Sequence, residues 1–92
     1  MTRYDLVRTF KALADETRQD ILELLGGKEM NVTDICAEVR ISQPTVSHHL
    51  QILKNCKLVD SRKQGKNIFY FVKKDIVNDV FDNVLQKMHK KG

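Results

Sequence analysis

The apolar positions of this chain follow the period of a helix, then that of a strand, then that of a helix again. Tyr4, Val7, Phe10 and Leu13, with Leu6 and Ala14, recur at helical spacing and predict a first helix over residues 3–13. Asp15-Glu16-Thr17 offers an N-cap and early acids for a second helix, which carries Ile21, Leu22, Leu24 and Leu25 and ends at Gly26-Gly27. A short third helix runs from about Val32 to Val39, capped by Asn31 or Thr33, with Ile35, Cys36 and Val39 inward. The fourth opens at Ser42, a favourable cap, and accepts Pro44 because that residue falls in the first turn, where no N–H is needed. It runs to about Asn55. Val46, Leu50 and Leu53 form its apolar face, with Ile52 close by, and Gln43, Thr45, Ser47, His48 and Gln51 are left on the others.

After Lys57 the period becomes two. Leu58–Arg62 and Asn67–Val72 read as strands around Lys63-Gln64-Gly65-Lys66, a hairpin with glycine at its turn. From Asp75 the helical period returns through Ile76, Val77, Val80, Phe81, Val84, Leu85 and Met88, giving a last helix over about residues 75–90. Two short helices about three residues apart, followed by a hairpin, predict a mainly α winged helix-turn-helix with a small β-hairpin wing. The predicted order is four helices, two strands and one helix, in a single domain over residues 1–92. A chain this small has few places to bury the whole last stripe. Pairing with the same helix of a second copy would cover it, with Tyr4 and Val7 of the first helix contributing.

Composition narrows the class. An apolar content of 41% supports one core. There is no apolar run of membrane-span length, and the chain opens on the polar Met1-Thr-Arg-Tyr-Asp, so a soluble cytoplasmic protein without a membrane partner is expected. Cys36 and Cys56 form no CxxC pair and read as free thiols. No phosphate-cradling loop, Gly-x-Ser-x-Gly or Cys–His pair is visible, so neither enzymatic activity nor a cofactor is expected. The net charge of +4 is concentrated: Lys57, Arg62, Lys63, Lys66, Lys73 and Lys74 face only Asp60 within residues 57–74. Such a patch suits a polyanion, although charge alone fits an ordinary solvated loop equally well.

Several residues invite a metal reading. His48 and His49 are consecutive on a helix, so their side chains diverge by about 100° and do not chelate one ion. Asp75, Asp79, Asp82 and His89 lie on the polar face of the last helix; a solvated face explains them, with a non-standard metal site as the lesser reading.

"FKALADETRQDILELL", "ISQPTVSHHLQILKNCKLVDSRKQGKNIFYFV" and the closing amphipathic helix together resemble the ArsR/SmtB family of bacterial and archaeal repressors over nearly the whole chain. The resemblance implies a homodimeric winged helix on a palindromic double-stranded DNA operator, released by an effector that is often a metal ion. Neither usual metal site of that family is matched. Asn31 and Thr33 stand where one site has its thiolates, and Lys74, Ile76, Lys87 and Lys90 stand at the positions of the other. The effector is therefore left open: small molecule, metal or redox. Cys36 occupies a place where some oxidant-sensing members carry a cysteine, but Met88 and His89 stand where the second thiol would be. A small buried thiol is the plainer reading, for Cys56 as for Cys36. Arg40 falls where the family's turn often has glycine; in a left-handed conformation it would carry about 1–2 kcal/mol of strain.

By this reading the DNA-facing residues are Ser42, Gln43, Pro44, Thr45, Ser47, His48 and His49 on the fourth helix, with Arg62, Lys63, Gln64 and Lys66 on the wing. Gln43 and His48 are best suited to reach base edges, and Ser42 is expected to cap the helix while its first amides face phosphate. Two other classes remain: a sequence-tolerant architectural DNA binder, and a winged helix used as a protein-interaction module.

Overall fold

The computed structural model describes residues 1–89. The elements in chain order are α1 (Arg3–Leu13), α2 (Glu16–Gly27), β1 (Met30–Asn31), α3 (Val32–Val39), α4 (Gln43–Asn55), β2 (Val59–Gln64), β3 (Asn67–Val72) and α5 (Lys74–His89). This is the mainly helical winged helix-turn-helix expected from the periodicity, with one strand added.

Local chemistry sets most boundaries. At α1 a capping box forms: the Asp5 amide donates to Thr2 Oγ1 at 3.0 Å, and the Thr2 amide donates to Asp5 Oδ2 at 3.3 Å. Asp15 caps α2 by accepting from the Arg18 amide at 3.0 Å. Asn31, rather than Thr33, caps α3, accepting from the Asp34 amide at 2.9 Å. Gly26 and Gly27 belong to the last turn of α2, and the helix stops at Lys28, whose backbone is fully extended. At α4, Ser42 holds the cap position but does not cap. Its Oγ pairs with Thr45 Oγ1 at 2.9 Å, and the helix start has no side-chain cap.

Both junctions that orient α4 use left-handed backbone at residues other than glycine. Arg40 has φ 58° and donates its amide to Cys36 O at 2.8 Å, closing α3. Lys57 has φ 63°, and there the Lys57 amide reaches Lys54 O at 2.9 Å while the Leu58 amide reaches Leu53 O at 3.0 Å. That paired bonding is a Schellman motif, which turns the chain sharply from helix into strand.

The sheet has three antiparallel strands in the order β1-β3-β2. Met30 and Asn31 pair with Tyr70 and Phe69, and β2 pairs with β3 from Val59↔Val72 out to Gln64↔Asn67. Lys63 and Gln64 are thus strand residues, and the turn contracts to Gly65-Lys66, with Gly65 at φ 63° as a two-residue hairpin turn requires. The buried cluster joins Ile21 and Leu25 of α2, Met30 of β1, Ile35 of α3, Val46, Leu50 and Leu53 of α4, and Leu58 and Val59 at the start of the wing. α5 contributes little to it. Only Val80 of that helix is buried, and Val77 packs against the cluster from its edge.

Candidate nucleic-acid interface

One face of α4 is anchored and another is open. Val46, Leu50 and Leu53 are buried, which rotates Gln43, Pro44, Thr45, Ser47 and His48 to the exterior, with Ser42 exposed just ahead of them. The two histidines have different surroundings. The His48 ring is exposed, whereas His49 is half-buried and its Nδ1 lies 3.1 Å from Arg18 Nη1. Arginine only donates, so His49 Nδ1 is the acceptor in that bond. The same guanidinium donates from Nε to Ala12 O at 2.6 Å and from Nη2 to Lys11 O at 3.4 Å. Arg18 therefore ties the end of α1 to the middle of α4, and His49 faces that corner rather than the open face where it was expected. The Arg18 amide at the cap, with the guanidinium nearby, holds the Asp15 carboxyl below the usual carboxylate range.

The wing adds the charge. Lys54 Nζ donates to Ser61 Oγ at 2.9 Å, joining the last turn of α4 to β2. Lys63 and Lys66 are exposed near the tip, and neither is in an ion pair among the described residues. Arg62 differs from both. Its Nε lies 2.6 Å from Glu29 Oε1 and its Nη2 3.3 Å from Oε2, while Nη1 donates to Gln64 Oε1 at 2.8 Å. Its guanidinium also sits 5.2 Å from the centroid of the Phe69 ring, and the Glu29 carboxylate raises its already high pKa further. Neither Glu29 nor the β1 strand beside it carries a sequence signal, because a two-residue strand has no period.

The second exposed surface is apolar. Tyr4 (73% exposed), Phe81 (51%), Leu85 (52%) and Met88 (74%) stand out on α1 and α5, with Val7 and Phe10 also exposed. Ile76, Val77 and Val84 are half-buried. Val80, expected on the same pairing surface, is only 1% exposed and is already covered within the single chain. Phe10, not singled out for pairing from the sequence, belongs to the exposed set.

Cys36 is half-buried and Cys56 buried, both as free thiols. The His48 and His49 ring centroids are 6.0 Å apart and tilted. Among the described residues no three His, Cys, Asp or Glu side chains converge into a metal-sized group, the set Asp75, Asp79, Asp82 and His89 included. Lys90 lies outside the described residues. No helix among the described residues is long and apolar enough to cross a membrane.

A helix-turn-helix with an exposed polar face, flanked by a basic hairpin, defines a DNA-binding winged helix. The chain belongs to the arsR family of bacterial regulatory proteins, whose family model matches residues 15–61. It is 37% identical over 81 residues to the transcriptional repressor SdpR of Bacillus subtilis, covering 88% of this chain and 90% of that one. It is also 34% identical over 84 residues to an arsenical resistance operon repressor of Staphylococcus aureus, covering 91% of this chain and 81% of the relative. Among solved structures, an ArsR-like transcriptional regulator from Rhodococcus superposes with a TM-score of 0.85 at 30% identity, over 90% of this chain and 78% of the other. A homodimeric winged helix-turn-helix DNA-binding domain from Mycobacterium bovis, solved by NMR, does so with 0.76 at 30% identity, over 95% and 82%. The protein is thus a DNA-binding transcriptional regulator and not an enzyme.

Proposed function

We propose that the protein is a homodimeric cytoplasmic repressor that binds a palindromic operator through two copies of α4. The observation that carries this reading is the coexistence of two unlike open surfaces: a polar one on α4 beside Lys63 and Lys66, and an apolar one on α1 and α5. Gln43, Thr45, Ser47 and His48 read the major groove, with Gln43 and His48 reaching base edges. Ser42 and Pro44 open the helix. Because no side chain caps that opening, its first amides are left for a phosphate oxygen. Lys63 and Lys66 grip the backbone and supply affinity more than sequence choice. His49 is left out of the contact set because of its bond to Arg18.

Tyr4, Val7, Phe81, Leu85 and Met88 form the seam between protomers, bordered by Ile76, Val77 and Val84. That would space the two α4 helices for half-sites about 34 Å apart along the duplex. The homodimeric state of the Mycobacterium bovis neighbour supports this arrangement. The reading is tested by titrating the protein, at physiological salt, with its own upstream DNA and with a scrambled duplex. A preference of about 10³-fold or more is expected for the operator. Equal affinity would identify a sequence-tolerant architectural protein, and binding to neither duplex a protein-interaction module. Adding zinc, cadmium, arsenite, oxidant and persulfide in turn to the bound complex would then identify the releasing signal.

A further inference from the structure

Side chains alternate across a strand, so neighbours on β2 face opposite ways. Lys63 shares a face with Ser61, which Lys54 of α4 touches, and so stands on the side of the recognition helix. Arg62 stands on the other side. Across the ladder it pairs with Phe69, and Phe69 pairs in turn with Asn31 of β1. Its guanidinium thus spans all three strands: Gln64 on β2, the Phe69 ring on β3, and Glu29 just ahead of β1.

We infer that Arg62 is a positioning residue rather than a phosphate contact. With Glu29 it fixes the angle at which the wing leaves the sheet, leaving the backbone contacts to Lys63 and Lys66. The inference rests on the proposed contact between the wing and DNA. Beyond Phe69 the hairpin is a two-stranded ribbon with no third strand, and such ribbons twist readily. A planar fork held at two carboxylate oxygens and set over a ring resists that twist. An ammonium, as a point charge, does not. If Arg62 instead moved to a phosphate, it would leave the Glu29 carboxylate unpaired beside a polyanion. The pair is exposed (47% and 41%), so its effect is on wing geometry more than on stability.

The test uses the full chain and a duplex recovered by selection from random sequence, with affinity followed by fluorescence anisotropy from about 50 to 200 mM salt. Arg62→Ala, Arg62→Lys and Glu29→Gln are each expected to weaken binding about two- to fivefold at every salt, with the wild-type salt slope retained. In the free protein the Gly65 amide should become more mobile in Glu29→Gln, and an unchanged order parameter counts against the clamp. A different pattern would make Arg62 a phosphate ligand: a slope shallower by about one in Arg62→Ala, wild-type affinity in Arg62→Lys and tighter binding in Glu29→Gln. Wild-type behaviour in all three variants would remove any role. Lys63→Ala with Lys66→Ala is the control, expected to lower the slope by about two. If the control slope does not move, the wing contact itself is wrong; if it falls while the Arg62 variants behave as wild type, only the clamp is wrong.

Discussion

The central region and the terminal helices bury their apolar residues in different ways. Every buried member of the core cluster except Ala12 lies between Ile21 and Val59. By contrast α5, sixteen residues long, has one buried side chain, and α1 contributes only Thr9 and Ala12. The part that carries the recognition helix therefore closes its own core. The terminal helices keep aromatic and aliphatic side chains in water unless a second copy covers them. In the proposed dimer, DNA contact and pairing fall to separately stabilised parts, joined where Arg18 ties the end of α1 to His49.

The largest effect is expected of Phe81→Asp with Leu85→Asp. The expected outcome is a monomer by sedimentation that still melts cooperatively, with operator affinity reduced about 100-fold or more by loss of the second half-site. A double variant that stays dimeric would move the seam elsewhere. One that unfolds would show that the central core does not stand alone.

A smaller effect separates the two histidines. His48→Ala should lose about 1–3 kcal/mol of discrimination at one base pair, measured by binding to single-substitution duplexes. His49→Ala should leave sequence preference intact and cost about 0.5–1.5 kcal/mol in urea unfolding, through loss of its bond to Arg18. The reverse pattern would place His49 in the groove.

Smaller again is Arg40→Gly. Relief of left-handed strain outweighs the added chain entropy of glycine by about 0.5–1 kcal/mol, so the urea midpoint should rise. A lower midpoint would mean that the turn at Arg40 is not strained. The smallest effect is at Asp15, whose folded pKa is depressed chiefly by the Arg18 amide. A depressed carboxylate contributes stability that is fully present above its unfolded pKa, about 3.9, and is lost as pH falls through the lower folded value. Asp15→Asn, which still caps, should show a smaller loss of stability over that acid window when melting is followed against pH. An identical acid profile would show that the cap charge is immaterial.

Helical and strand periods were enough to read the five helices, the hairpin and the open face of α4, because burial and period coincide there. What escaped was set by geometry without period. β1 is two residues long, and Lys63 and Gln64 lack the apolar alternation that marks a strand. Lys57 adopts a left-handed φ that nothing in a lysine advertises. In the candidate site the differences from expectation are rotational: His49 and Val80 each sit one step around a helix from a neighbour that stays exposed. A step of about 100° is enough to exchange an open face for a covered one.

The strand order has a consequence for how copies meet. With β3 in the middle, the free backbone edges belong to β1, too short to template another strand, to β2, which carries Asp60, Arg62 and Lys63, and to the short ends of β3 that β1 does not reach. Charged side chains on an edge oppose the addition of a foreign strand. A wing held out on such an edge can protrude into solvent at high protein concentration without recruiting a second wing. The proposed pairing through the helices therefore meets little competition from the sheet edges.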